Sequence, residues 1–356
     1  MTPVSLVDGL RDGVRNLIGL SPFGDGIEAP QPTPQTVLVD RPHEQLRRFH
    51  LADEDPGPLD APPVLLVPPL AVPADCYDLR PGQSLARHLL DEGFAPYVVD
   101  YGDITFADRA MGFEDFIDGI LLRSVQHVAD AHGGKPVHVV AWSLGGSMAV
   151  MTLASHPELP VASLVALGTP FDYSKIPTTQ LARLGASVTG GNVLGLAGVV
   201  FGGVPRHFTR AAFRLSAVQR ELTRPWFIAR NLTDTETLAR MQAIEGFMDR
   251  MPGYPGRLYL QMYHRLVLRL ELARGRVRLS NDRVVHLAAV DVPVLLLGSP
   301  DDAIGPAAAV KAGVEALSGT DARYVEVRGS HLGIVAGSDA IERSWPHVVD
   351  FLRTHS

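Results

Sequence analysis

Val137-His138-Val139-Val140-Ala141-Trp142-Ser143-Leu144-Gly145-Gly146-Ser147-Met148 is the stretch from which the rest of this chain is read. An apolar run of β type stops at a serine set between small residues, and a helix-permissive segment follows. Strand, sharp turn and helix in that order is how a nucleophile elbow looks in sequence. Such a turn holds its central side chain strained and exposed, and Ala141, Gly145 and Gly146 leave room for strand and helix backbones to approach each other. Ser143 is therefore the candidate nucleophile. Five residues decide little alone, because a buried turn serine fits them as well.

Whole-chain properties bound what the motif can mean. With 356 residues, 46% hydrophobic and 20% charged, the chain can bury one large α/β core with an inserted subdomain. A net charge of -7 and a pI near 6.0 offer no broad attraction to nucleic acid or anionic lipid, so no nucleic-acid partner is expected. Cys76 is the sole cysteine, which rules out an internal disulfide, fits a reducing compartment and reads as a packed thiol. No Cys/His spacing resembles a zinc site, and no phosphate loop or dinucleotide fingerprint occurs, so neither metal nor cofactor is expected.

At the N-terminus Asp8, Arg11, Asp12 and Arg15 interrupt what would have to be a signal sequence, giving a cytoplasmic expectation. Leu6, Leu10, Val14, Leu17 and Ile18 recur at helical spacing and predict an amphipathic helix docked on the chain's own core. A membrane-surface helix would carry a more basic polar face. Residues 21–35 read as a linker, and runs over 36–39 and 46–51, before a turn at 53–63, predict an antiparallel start to a sheet.

Val64-Leu65-Leu66-Val67 is a continuous apolar run, expected of a strand buried on both faces. It ends at Pro68-Pro69-Leu70-Ala71. In an enzyme with such an elbow, the loop after this strand supplies one backbone donor for an oxyanion, and the residue after the nucleophile supplies the other. Neither proline has an N–H, so the donors are predicted to be Leu70 and Leu144, with Ala71 as the fallback. Helices over 84–92 and 113–132 alternate with strands over 95–99 and 161–167, which implies right-handed crossovers and a parallel sheet.

With these pieces in place the chain resembles the polyhydroxyalkanoate synthase branch of the α/β-hydrolase superfamily. The residues that carry the resemblance are Val67-Pro68-Pro69-Leu70, Asp78-Leu79-Arg80-Pro81 with Ser84-Leu85, Val99-Asp100-Tyr101-Gly102, the elbow, Thr169-Pro170-Phe171-Asp172, and Asp291-Val292-Pro293-Val294. The resemblance covers roughly residues 60 to 175 and 255 to 335. Two departures stand out: Ser143 takes the place of the synthase cysteine, and Asp302-Ala303-Ile304 that of Asp-His-Ile. A thiolate suits repeated passage of a growing chain, whereas a serine must be activated at each turnover and its ester is commonly released to water. The substitution shifts the expectation from polymer synthesis toward hydrolysis.

The acid and then the histidine should follow the serine. Asp301 and Asp302 both sit in the turn after the apolar run 292–297; the family pattern places the acid directly before Ala303-Ile304-Gly305-Pro306, which favours Asp302. His331, between small residues after the strand-like run 324–327, is the candidate base. His138, inside the nucleophile strand, and His347, in the terminal helix, read as structural or solvated.

Residues 176–288 look least like a parallel sheet. The glycine-rich apolar part, 184–204, predicts a lid and no stable membrane span. Helical patterns with Trp226, Phe227, Phe247, Tyr259 and Tyr263 follow, aromatics that at such spacing belong to a core or line an acyl pocket. The expected architecture is an α/β-hydrolase fold: an extension with leading strands over 1–60, core over 61–175 and 289–356, and a mainly helical lid over 176–288. The expected function is hydrolysis of an ester or thioester with a medium or longer acyl chain through Ser143, Asp302 and His331. One alternative is acyl transfer from CoA to a hydroxyl acceptor, and another is a binding protein on the same fold. Dehalogenation is excluded, since it needs a carboxylate at the elbow. Oligomeric state is left open.

Overall fold

Valine- and leucine-rich runs without a polar break become strands covered on both faces. In the computed structural model, which describes residues 3–21, 24–29, 31–51, 60–189, 203–204 and 218–356, eight strands form the main sheet. They are β1 (Gln35–Arg41), β2 (Glu44–Phe49), β3 (Pro63–Val67), β4 (Ala95–Asp100), β5 (Val137–Trp142), β6 (Val161–Leu167), β7 (Val294–Gly298) and β8 (Ala322–Glu326), in the order 1-2-4-3-5-6-7-8. The β1–β2 hairpin and the β2–β4 pair are antiparallel, and every pair from β4 onward is parallel. Strands β3 and β5, at the centre, and β7, one strand in from the edge, are buried at every residue.

Alternate side chains of one strand feed opposite cores. On β5, Val137, Val139 and Ala141 join one core, with Val128 and Met148 of the helices α3 (Leu121–Ala131) and α4 (Leu144–Ser155). Val140 and Trp142 join the other, with Leu89 of α2 (Leu85–Asp91). Helices thus cover both faces of a mostly parallel sheet. The helix expected over 113–132 is divided, because a π-helical turn, Asp115–Ile120, precedes α3.

The chain leaves the sheet after β6 and returns at β7. Between them lie α5 (Pro177–Thr189), α6 (Val218–Arg230), α7 (Thr235–Asp249) and α8 (Gly256–Gln261), then a π-helical turn, Met262–Leu268. The helical pattern over 222–251 breaks because Asp234 caps α7, accepting from Thr237 N at 3.0 Å. The expected lid, 184–204, enters α5 at one end and otherwise falls almost entirely outside the described residues. Past β8 come the short α9 (Gly333–Ala336) and α10 (Trp345–Thr354). Among the described residues no helix is long and apolar enough to cross a membrane.

Two expectations need correction. Helix α1 (Pro3–Gly19) forms, but Val14, Leu17 and Ile18 are 54%, 59% and 62% exposed. The helix docks through Gly13 and Asn16 instead, because the surface it meets is the polar turn between α6 and α7. Asn16 Nδ2 donates there to Leu232 O at 2.9 Å and to Thr235 Oγ1 at 3.1 Å. Trp226, read as a core aromatic, is 67% exposed, with the Arg230 guanidinium over its ring.

Candidate active site

The elbow is where strand, turn and helix compete for space. Ser143 has φ 54° and ψ −124°, a conformation whose cost in a residue with a β-carbon is about 1–3 kcal/mol. Neighbouring strand ends hold it there. Ser143 N donates to Leu167 O at 2.9 Å, and Gly168 N donates to Leu297 O at 2.8 Å, so hydrogen bonding continues across the ends of β5, β6 and β7. Helix α4 can begin so close to the sheet because Gly145 and Gly146 lack side chains. A β-carbon at Gly145 would lie 2.5 Å from Val67 O and 2.7 Å from Pro68 O, and one at Gly146 would lie 2.0 Å from Thr169 Oγ1.

Asp302 lies in the turn after β7 and is 2% exposed. Its Oδ1 accepts from Ile304 N and Gly305 N, both at 2.8 Å, and its Oδ2 accepts from His331 Nδ1 at 2.7 Å. A carboxylate on Nδ1 fixes the tautomer that leaves the Nε2 lone pair free. Asp301 points elsewhere, exposed and paired with Arg328 at 2.9 Å. The His331 ring lies against the Trp142 indole, with centroids 5.1 Å apart and planes at 38°. Gly168 occupies the space between the parts: a β-carbon there would meet Asp302 Oδ2 at 3.2 Å and His331 Cε1 at 3.4 Å. The structure therefore brings Asp302 and His331 into contact beside Trp142, the last residue of β5, and Gly168, the first residue past β6.

Leu70 and Ala71 form a turn directly after β3 and Pro68-Pro69; Leu70 is buried and Ala71 has φ 62°. This loop and the start of α4 face each other across the close approach at Gly145. Leu144 is the first residue of α4, where N–H groups have no acceptor within the helix. Tyr77 pins the region from below, its hydroxyl donating to Val67 O at 2.8 Å.

Residues outside this cluster behave differently. His138 is buried between Ser163 Oγ at 2.8 Å and Ser356 Oγ at 3.0 Å, and burial lowers its pKa to about 4. His347 is exposed, and Cys76 is fully buried, with burial pushing its thiol pKa up. Among the described residues no group of three or more His, Cys, Asp or Glu side chains could hold a metal ion. Trp142 escaped the sequence reading. Its signal was a large aromatic directly before the elbow serine, at the end of a strand otherwise built from small and branched residues and one histidine.

Residues 62–191 match a family described as the alpha/beta hydrolase fold. Among curated proteins the chain is similar to poly(3-hydroxyalkanoate) polymerase subunits: 24% identical to that of Haloferax mediterranei over 91% of this chain, and 26% identical to that of Allochromatium vinosum over 96%. It spans 64% of the Haloferax protein's length and 93% of the Allochromatium protein's. Among solved structures, the esterase RhEst1 from a Rhodococcus species aligns with a TM-score of 0.51 at 19% identity, covering 91% of this chain and 99% of that one. The monoacylglycerol lipase of Paleococcus ferrophilus aligns with a TM-score of 0.50 at 17% identity, covering 88% and 99%. These structures share the fold. Fold and family match together give the chain the α/β-hydrolase fold, with Ser143 at the elbow and with similarity to the polymerase subunits along most of its length.

Proposed function

We propose that the chain forms an acyl-enzyme on Ser143 and releases it to water, cleaving a carboxylic ester or thioester. The observation that carries this reading is the 2.7 Å bond from His331 Nδ1 to buried Asp302, set beside a serine in a strained turn. In the proposed cycle, His331 Nε2 takes the Ser143 hydroxyl proton as Oγ attacks the acyl carbon. Asp302 keeps the ring in its tautomer and stabilises the imidazolium. The Leu144 and Leu70 N–H groups receive the developing oxyanion. The imidazolium protonates the departing alcohol or thiol, and a water activated at Nε2 then frees the acid. A medium or longer acyl chain is part of the proposal, with residues 176–288 as the lid between two parts of one hydrolase core.

A second reading is favoured by the similarity to polymerase subunits along 91–96% of the chain. In it the same acyl-enzyme, loaded from a CoA thioester, is attacked by a hydroxyl acceptor. An electrophilic phosphonate tests the shared step: one label on the wild type and none on Ser143→Ala is expected. Labelling that survives in Ser143→Ala moves the nucleophile elsewhere, and an unlabelled wild type favours a binding protein on this fold. Mass spectrometry of products from acyl-CoA and p-nitrophenyl esters, with and without hydroxyacyl acceptors, separates the two readings. Free acid is expected, and acceptor-dependent ester as the main product would promote acyl transfer.

A further inference from the structure

Helix α7 spans a cavity of about 920 Å³ whose opposite wall includes Arg47, Phe49 and Val98 of β2 and β4, and whose edge is formed by residues 73–75. With that space beneath it, the helix is tied ionically at both ends, and both ties run to one short segment. Glu236, in its first turn, accepts from Arg80 Nη1 and Nη2, each at 2.8 Å. Arg250, just past its last turn, pairs with Asp75 at 2.5 Å. The two ties are roughly 21 Å apart along the helix, 14 residues at ~1.5 Å each.

The receiving segment, 75–83, begins three residues after the loop that carries Leu70 to Val72. It includes Asp78-Leu79-Arg80-Pro81, which the proposed chemistry leaves without a role. Buried Arg80 completes its fork on Glu28, with Nε at 3.1 Å and Nη2 at 2.8 Å. Asp78 accepts from the N–H and the hydroxyl of Thr33, each at 2.8 Å. Gln83 donates to Ala336 O at 2.9 Å, in the helix that starts two residues after His331. One segment is therefore fastened to the N-terminal strap, to α7 and to the helix that follows the candidate base. The loop before it contains three prolines, Pro68, Pro69 and Pro73, and a non-glycine residue at positive φ, and depends on such fastenings to hold an N–H in place.

We propose that α7 braces the oxyanion loop, with Arg80 and Arg250 as positioning residues that fix the Leu70 N–H through segment 75–83. The proposal rests on the acyl-enzyme reading above. Charge-assisted forks give the stiffness it requires, because a planar guanidinium bound to two carboxylates fixes direction as well as distance.

Glu236→Gln and Arg250→Met each cut one tie without altering loop or catalytic groups. Each is expected to lower kcat about 10-fold at unchanged KM, as a shift of a fraction of an ångström in a donor would. Each should also speed amide deuterium exchange over residues 69–77 while the strands exchange as in the wild type. Arg80→Lys, which keeps the charge and loses the fork, should behave like Glu236→Gln. Arg224→Met cuts the ion pair between α6 and Glu245 of α7, which does not reach segment 75–83, and should change neither kcat nor exchange over 69–77. Unchanged exchange over 69–77 in both tie variants overturns the brace, as does an equal loss of kcat in Arg224→Met. Faster exchange in the tie variants of a protein that neither hydrolyses esters nor takes up phosphonate supports the brace and sinks the acyl-enzyme reading.

Discussion

Gly145→Ala isolates the contact on which the proposed oxyanion site depends. The added β-carbon would lie 2.5 Å from Val67 O, 2.7 Å from Pro68 O and 2.9 Å from Pro68 C, against an ordinary contact of 3.4 Å or more. The shortfall at Val67 O is 3.4 − 2.5, about 0.9 Å. All three opposing atoms are backbone, so no side chain can rotate away, and the start of α4 and the end of β3 have to part. Leu144 N rides on one and Leu70 N on the other. A misplacement near 1 Å costs roughly 100-fold in rate, whereas overpacking costs only about 1–3 kcal/mol of stability. With ~2.1 cal/mol/K of unfolding entropy per residue, a chain of 356 residues loses about 1–4 °C in Tm. Gly145→Ala should therefore lose about 100-fold in kcat/KM toward a p-nitrophenyl ester at 25 °C while its thermal unfolding shifts by only a few degrees. Gly246→Ala, where the new β-carbon meets nothing within 4 Å, is the matched control and should keep full activity. Wild-type kcat/KM in Gly145→Ala would refute the idea that this approach positions the donors.

Asp302→Asn should lower kcat by about 10⁴ and Asp301→Asn only mildly, measured as steady-state ester hydrolysis; the reverse order would move the acid by one residue. Trp142→Leu removes the aromatic face against which the proposed imidazolium forms, and should cost about 0.5–2 kcal/mol, a kcat loss of roughly 2- to 30-fold with KM little changed. An unchanged kcat would reduce the indole to packing. His138 gives the pH test. Its folded pKa, about 4, lies below the ordinary 6.5, so the unfolded chain takes the proton first and stability falls as pH drops from 6.5 toward 4. The loss should reach at most about 3 kcal/mol in urea unfolding, and His138→Gln, which cannot titrate, should flatten that part of the profile. Parallel profiles for the two proteins would assign the acid lability to other groups.

What was legible in the sequence is local. The strand–serine–glycine stretch announces itself because period-two burial, a strained turn and a close helix start each demand particular residues within a few positions of one another. At the turn after β7 local pattern left Asp301 and Asp302 both open, and only the family resemblance favoured Asp302; in the structure it is Asp302 that is buried on the backbone N–H groups of Ile304 and Gly305. Features made by contact across the chain were not legible. Trp142 meets a ring 189 positions later, and Arg80 meets a carboxylate 156 positions later; no periodicity encodes either. Helix α1 shows the opposite failure. Its apolar stripe is plain in the sequence, but the surface offered to it is a turn of polar backbone, and Asn16 matches that better than leucine does.

The residue at the elbow decides how much the surrounding groups must supply. A thiol near its ordinary pKa provides a little thiolate unaided, whereas a serine hydroxyl depends on a base that is aligned and kept in one tautomer. In the proposed mechanism the short Asp302–His331 bond and the indole behind the ring therefore bear on every turnover of Ser143. The fate of the acyl group follows from the same substitution. A thioester keeps its acyl group activated for a second transfer, while an oxygen ester on serine must be activated again by the same base, which acts on whichever nucleophile stands within reach of Nε2. Similarity to polymerase subunits and the proposed hydrolysis are thus compatible: in the proposed mechanism the scaffold builds the acyl-enzyme, and the competition between water and an alcohol at His331 Nε2 decides what leaves it.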